Sequence, residues 1–150
     1  MADTFVVAHA SVTIDASRAR VWAALVNPDT IREYMPVTDV ISEWREESPI
    51  VWKSEFQGKS FDVRGTILRL EPERLLEYVH SRPIFRSSAL PQSPDRYQRV
   101  TIELRGDGGQ THVSVTEQNN TTQKEFAHSE GSWRMVLNNM KALLEGTIER

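Results

Sequence analysis

SEGSWRMVLNNMKALL (residues 129–144) is the stretch on which the fold turns. Trp133, Leu137, Met140 and Leu144 recur at steps of four, three and four, and Val136 and Leu143 broaden the stripe. That spacing puts one wide apolar face on a helix. Upstream, Thr122 followed by Glu125 fits a capping box, so the helix is predicted to open there and to carry its stripe from Phe126 to Leu144. Gly131 allows a bend or a close approach to whatever lies beneath. The question is whether this face meets a filled core or the wall of a ligand chamber.

Most of the remaining chain reads as strands. VVAHASVTI (6–14) is rich in β-branched residues. VTDVISEW (37–44), IVWKSEF (50–56), FDVRGTILRL (61–70), LLEYVH (75–80), QRVTIEL (98–104) and THVSVTEQ (111–118) follow, with hairpin signals around Gly58 and in RGDGGQ (105–110). Two short helices interrupt this series: RARVWAALV (18–26), which Ser17 can cap, and PDTIREYM (28–35), with Asn27 as cap and Pro28 at the first helical position. The order predicts an α+β architecture: a curved antiparallel sheet of about seven strands, two short helices and a long C-terminal helix. No repeat or linker divides the chain, so residues 1–150 are expected to form one domain.

Such a sheet has one wet face and one face to cover, and a helix spans only ~10–12 Å. A gap beneath the helix is therefore expected. A dry void of about 300 Å³, the small end of ligand pockets, costs about 7 kcal/mol, which is comparable to a typical net stability of ~5–15 kcal/mol. Such a chamber must be shrunk by side chains, wetted or occupied. Trp22, Trp52, Phe56, Phe61, Tyr78, Phe126 and Trp133 are numerous enough to leave a partly filled, modest pocket.

Composition excludes several classes. The net charge of -3, with basic residues scattered singly, gives no electrostatic footprint for nucleic acid. With no cysteine, disulfides and thiol catalysis are excluded. No apolar run approaches the ~20 residues of a membrane span, and the N-terminus MADTFVVAHA lacks the marks of a secretory signal, so a cytoplasmic location is expected. The histidines at 9, 80, 112 and 128 show no zinc-ligand spacing, and there is no phosphate loop or nucleophile elbow. No metal or cofactor is expected.

The serial agreement of ASRARVWAALVNPDTIREY, VWKSEFQGKSFDVRGTILRLEPERLLEYVH, TEQNN and GSWRMVLNNMKALLE resembles the START-like (SRPBCC) superfamily with its helix-grip fold. Within it the chain is similar to the group homologous to the C-terminal domain of the activator of the heat-shock-protein-90 ATPase. The resemblance implies a range of functions: binding of lipids, hormones or polyketides, cyclisation or hydrolysis, or chaperone activation. The eukaryotic activator has a separate N-terminal domain for much of its chaperone contact. One domain accounts for this whole chain, so chaperone action is the less expected partner role.

The preferred reading is a non-enzymatic domain for a small hydrophobic ligand, lipid- or polyketide-like, held between the last helix and the sheet. Trp52 and Phe56 share an alternation with Ile50 and are predicted to line the chamber, with Trp133, Leu137 and Met140 facing them. Tyr78, His80 and Glu117 are in phase with apolar neighbours and are predicted to form its polar end. The alternatives are a cyclase, dehydratase or hydrolase using His80 or Glu117 as acid or base, or His80 and Glu117 standing at strand ends in water. Trp22 is expected in the core and Trp44 at a rim. The proline-rich segment 81–97, with Phe85 and Leu90, is a candidate lid. Either a monomer or a homodimer paired through a sheet edge is compatible with the pattern.

Overall fold

Alternation of apolar and polar residues places seven strands in one antiparallel sheet: β1 (Val6–Ile14), β2 (Asp39–Ser42), β3 (Pro49–Phe56), β4 (Lys59–Glu71), β5 (Leu75–His80), β6 (Gln98–Arg105) and β7 (Thr111–Asn120). In the computed structural model they lie in the order β1-β7-β6-β5-β4-β3-β2. The structure describes residues 6–56, 58–80, 98–106, 108–120 and 123–146, with side chains described outside residues 6, 56, 119–120 and 123–128. The lid candidate at 81–97, the capping box at Thr122 and Glu125, and the side chains of Phe56 and Phe126 lie outside the described residues.

The short helices α1 (Arg18–Leu25) and α2 (Pro28–Tyr34) form where their caps place them. The Ser17 hydroxyl accepts from Arg20 N at 3.2 Å, and Asn27 Oδ1 accepts from Asp29 N at 2.9 Å, each satisfying a helix-start amide. The Tyr34 hydroxyl donates to the Ala24 carbonyl at 2.9 Å and locks the two together. Helix α3 (Gln123–Leu144) lies along β1 and β7 and reaches α1 and α2. Its stripe is buried at Val136, Leu137, Met140 and Leu143 and half-buried at Trp133 and Leu144. The architecture is the helix grip.

The grip is fixed by polar ties that the hydrophobic pattern does not contain. Glu130 Oε2 accepts from His9 N at 3.1 Å, Lys141 Nζ donates to Thr13 O at 2.7 Å, and Glu145 Oε2 accepts from Asp15 N at 2.8 Å. Side chains of α3 thus occupy the open edge of β1, groups that would otherwise template pairing with another strand. At the far edge, β2 is shorter than the predicted 37–44. Thr38 gives both its N–H and its hydroxyl to Lys53 O, at 2.7 and 3.1 Å, and Ser42 Oγ accepts from Trp44 N at 3.0 Å as Trp44 turns to φ 55°.

Register shifts interrupt β4 between Ile67 and Arg69 and β1 between Val6 and Ala8, where bulges sharpen the bend. Gly65, between Ile50 of β3 and His80 of β5, is a point of close approach. A Cβ there would stand 2.1 Å from Val79 O, inside any real contact distance. Gly65→Ala is expected to destabilise the chain by about 2 kcal/mol, read as a lowered denaturation midpoint in urea; an unchanged midpoint would show that the sheet yields there freely.

Bonds from Lys141 Nζ and Asp15 N hold the Glu145 carboxyl below the usual carboxylate range. The unfolded chain therefore takes up this proton first. The stabilisation from Glu145 is fully present above the ordinary value of ~4.3 and is lost as pH falls through the lower folded value. Glu145→Gln should flatten part of the acid limb of a melting-temperature profile, with little change in slope between pH 6 and 8.

Candidate binding site beneath the long helix

The sheet register brings one row of residues to the middle of the concave face. Ala8, Glu117, Val100, Tyr78 and Ile67 stand opposite one another across β1, β7, β6, β5 and β4, and all are buried. To one side the face is apolar, with Leu76, Ile102 and Val115 below Val136, Leu137 and Met140 of α3. To the other side it becomes polar, at His80 and Gln98, which pair directly where β5 ends and β6 begins.

Between the helix and this face lies a cavity of about 30 Å³, bounded by Trp52, Tyr78 and Trp133, by Tyr34 and Met35, by Trp44, and by the apolar face of α3. It has room for about two water molecules. At ~24 cal/mol per Å³ it costs the fold about 0.7 kcal/mol. The expected gap is thus mostly closed by aromatic rings: Trp52 and Tyr78 meet at 4.9 Å between centroids, and the His80 ring stands edge-on to Trp52 at 5.8 Å.

Trp52, Tyr78, Trp133, Leu137 and Met140 line the cavity, and the His80 ring stacks behind two of them. The β3 backbone carries Phe56 opposite Lys59. His80 and Glu117 do not stand free in water. His80 is half-buried, and Glu117 is 7% exposed because a tryptophan and a glutamine close over it. Glu117 Oε1 accepts from Trp133 Nε1 at 2.6 Å, and Oε2 accepts from Gln98 Nε2. Each oxygen of the carboxylate is therefore aimed by a donor from a different element.

Sequence reasoning passed over Tyr34, Met35, Gln98 and Ser129, and it placed Trp44 at a rim. Gln98 heads the buried phase of β6, ahead of Val100, Ile102 and Leu104, and that phase was the available signal. Ser129 precedes Trp133 by one helical turn and so shares its inward face; its hydroxyl is buried with no hydrogen-bond partner among the described residues. Trp44 is half-buried on the cavity wall and holds a left-handed backbone conformation rare for a bulky residue. Its loop is laced to β4 by Glu47 N to Ile67 O at 2.7 Å, Ile67 N to Ser48 O at 3.0 Å and Leu70 N to Glu46 Oε2 at 3.0 Å.

Burial pushes the Tyr78 phenol well up, and the negative charges of Glu117 and of Tyr34, when ionised, push it further. Burial alone pushes Tyr34 up. Both raised values mean that their stabilising protonation is complete below the ordinary ~10 and is lost as pH climbs through the folded values. Tyrosinate absorbance near 295 nm should show Tyr34 and Tyr78 silent up to pH 11 and ionising together with loss of structure. Titration of either near pH 10 in the folded state would contradict their burial.

No group of three or more carboxylate or imidazole side chains able to hold a metal occurs among the described residues, and no helix among them is long and apolar enough to cross a membrane. No curated protein matches the chain. Solved structures do. The solution structure of ChR145 from Cytophaga hutchinsonii is 40% identical, with 94% of each chain covered and a TM-score of 0.78. The solution structure of the Aha1 dimer from Colwellia psychrerythraea is 22% identical, covers 93% of this chain and 96% of the other, and has a TM-score of 0.72. CalU16 from Micromonospora echinospora is 18% identical, covers 99% and 88%, and has a TM-score of 0.67. Below a quarter identity these likenesses speak for the shared fold alone. Residues 15–145 match the family described as activator of Hsp90 ATPase homolog 1-like protein, and the chain belongs to that family within the START-like (SRPBCC) superfamily.

Proposed function

We propose that this chain binds a small, largely apolar molecule between α3 and the concave face of the sheet, and that Tyr78, His80 and Glu117 orient its polar end. One observation carries the reading: the interior is unsealed at its aromatic centre, where Trp52, Tyr78 and Trp133 border a cavity between the helix and the sheet.

A cavity of about 30 Å³ is far smaller than the ~300–1,000 Å³ of ligand pockets. Binding in this reading requires the wall to open. Met35, Trp44 and Trp133 are its half-buried members, so they are the side chains that can move without dismantling the core. Both Glu117 oxygens already accept hydrogen bonds, which favours positioning over proton transfer.

The family match favours a second reading, contact with the Hsp90 chaperone. One set of measurements separates the two. The chain is titrated with a panel of lipids, sterols and aromatic polyketides while tryptophan fluorescence and melting temperature are followed, and the same preparation is added to an Hsp90 ATPase assay. The ligand reading expects saturable quenching with a stabilised fold for at least one compound class and an unchanged ATPase rate. Silence across the panel with a stimulated ATPase would replace it by the chaperone reading.

A further inference from the structure

We infer that Trp133 sets the size limit of the ligand, because its ring is a partition between an apolar and a polar compartment of the same concave face; this rests on the binding reading above. The partition shows as one change of chemistry at one level on several elements. On β5, Leu76 and Tyr78 line the cavity, and the next residue in that phase is His80. On β6, Ile102 lines it, Val100 follows, and Gln98 ends the buried phase. On β7, Val115 lines it, and the next buried residue in phase is Glu117. On α3, Met140, Leu137 and Trp133 line it, and buried Ser129 stands one turn before Trp133. His80, Gln98, Glu117 and Ser129 all lie beyond the lining.

Trp133 is where the two compartments meet. Its side chain bounds the cavity, and its Nε1–H donates across the boundary to Glu117 Oε1 at 2.6 Å. An indole has that one donor and no acceptor, so the bond fixes how the ring stands. Glu117, itself outside the lining, is thus a positioning residue that acts through the Trp133 ring, and Gln98 Nε2 holds its other oxygen.

With the ring in place, the open space on the apolar side is about 30 Å³. Leu137 and Met140 are buried, whereas Trp133 is half-buried, so the ring is the α3 wall member nearest solvent. Displacing it joins the compartments into one amphipathic chamber. An apolar body then lies against Tyr78, Ile102 and Val115, and an uncharged hydroxyl end reaches His80 and Gln98. The ligand class this favours is a neutral amphiphile whose length is limited by Trp133.

Straight-chain primary alkanols from butanol to decanol measure the compartment. Each methylene that enters an apolar space tightens binding about fourfold, and each one left outside adds nothing. Affinities are read from amide NMR shifts of the full chain. In the wild type the gain should stop at a definite chain length. In Trp133→Ala it should run about two methylenes further, and the amides of His80 and Gln98 should then shift. Trp133→Leu, a milder loss of volume, should extend the series less, and it keeps the test alive if the alanine variant fails to fold. Glu117→Leu keeps the ring and removes its acceptor, so it should move the Trp133 indole N–H resonance upfield and extend the series. Glu117→Gln retains an acceptor oxygen and should do both to a smaller degree. The same stopping length in the wild type and the Trp133 variants would overturn the partition and leave the binding reading intact. Binding by the Trp133 variants but not by the wild type would remove the binding reading and leave the partition. No binding by any of them would remove both.

Discussion

One helix has to cover a sheet far broader than itself. Seven strands at ~4.8 Å spacing span roughly 29 Å, and α3 with its side chains spans ~10–12 Å. The sheet answers by curling, through the bulges in β1 and β4 and the close approach at Gly65. The helix answers by lying to one side, along β1 and β7, where Glu130, Lys141 and Glu145 tie it to the strand edge. The remaining width, over β3 to β5, is left to large side chains. Trp52, Tyr78, Trp44 and Tyr34 line the cavity there. The cavity is what remains when flat rings, which pack at angles such as the 48° between Trp52 and Tyr78, fill a curved space.

Periodicity made the elements legible and the ties illegible. The i, i+3, i+4 stripe located α3, and period two located the strands, because burial acts on residues neighbouring in sequence. The contacts that set where α3 lies join residues such as His9 and Glu130, 121 positions apart, and polar side chains leave no periodic trace. The same holds at the site. Tyr78 and Glu117 were readable because they interrupt an apolar phase. Gln98 occupies that phase too, but a polar residue heading a strand reads equally well as the end of a loop. Trp44, expected as a partly exposed rim residue, is half-buried on the cavity wall. Its inward aim depends on a left-handed backbone turn held by Ser42, and propensity assigns that turn to glycine or asparagine.

That turn carries a conformational cost. A bulky residue in the left-handed region costs ~1–2 kcal/mol, and Glu47, three residues on, holds φ 69° as well. The loop keeps both because Glu46, Glu47 and Ser48 bond to β4 beside its bulge. The Trp44 ring is thus carried on a backbone that is rigid but strained, next to half-buried Met35. The positive φ of Trp44 and the hydrogen bonds of its loop to β4 together set where the ring stands on the cavity wall.

The polar end raises the opposite question, why a core tolerates such groups. Replacing buried ionic or polar networks with apolar residues of similar volume is often neutral or stabilising, and a hydroxyl such as that of Ser129, buried without a partner among the described residues, is a net cost. Glu117 is covered by Trp133 and Gln98, each of which donates to one of its oxygens, so the three hold one another in place. Mutual satisfaction explains how the cluster survives burial. It does not explain why β7 carries a carboxylate at Glu117 when Val113 and Val115 occupy the two preceding inward positions. A valine there would remove the desolvation cost of the carboxylate. The proposed reading, in which the cluster orients a bound molecule, would account for a carboxylate at this inward position.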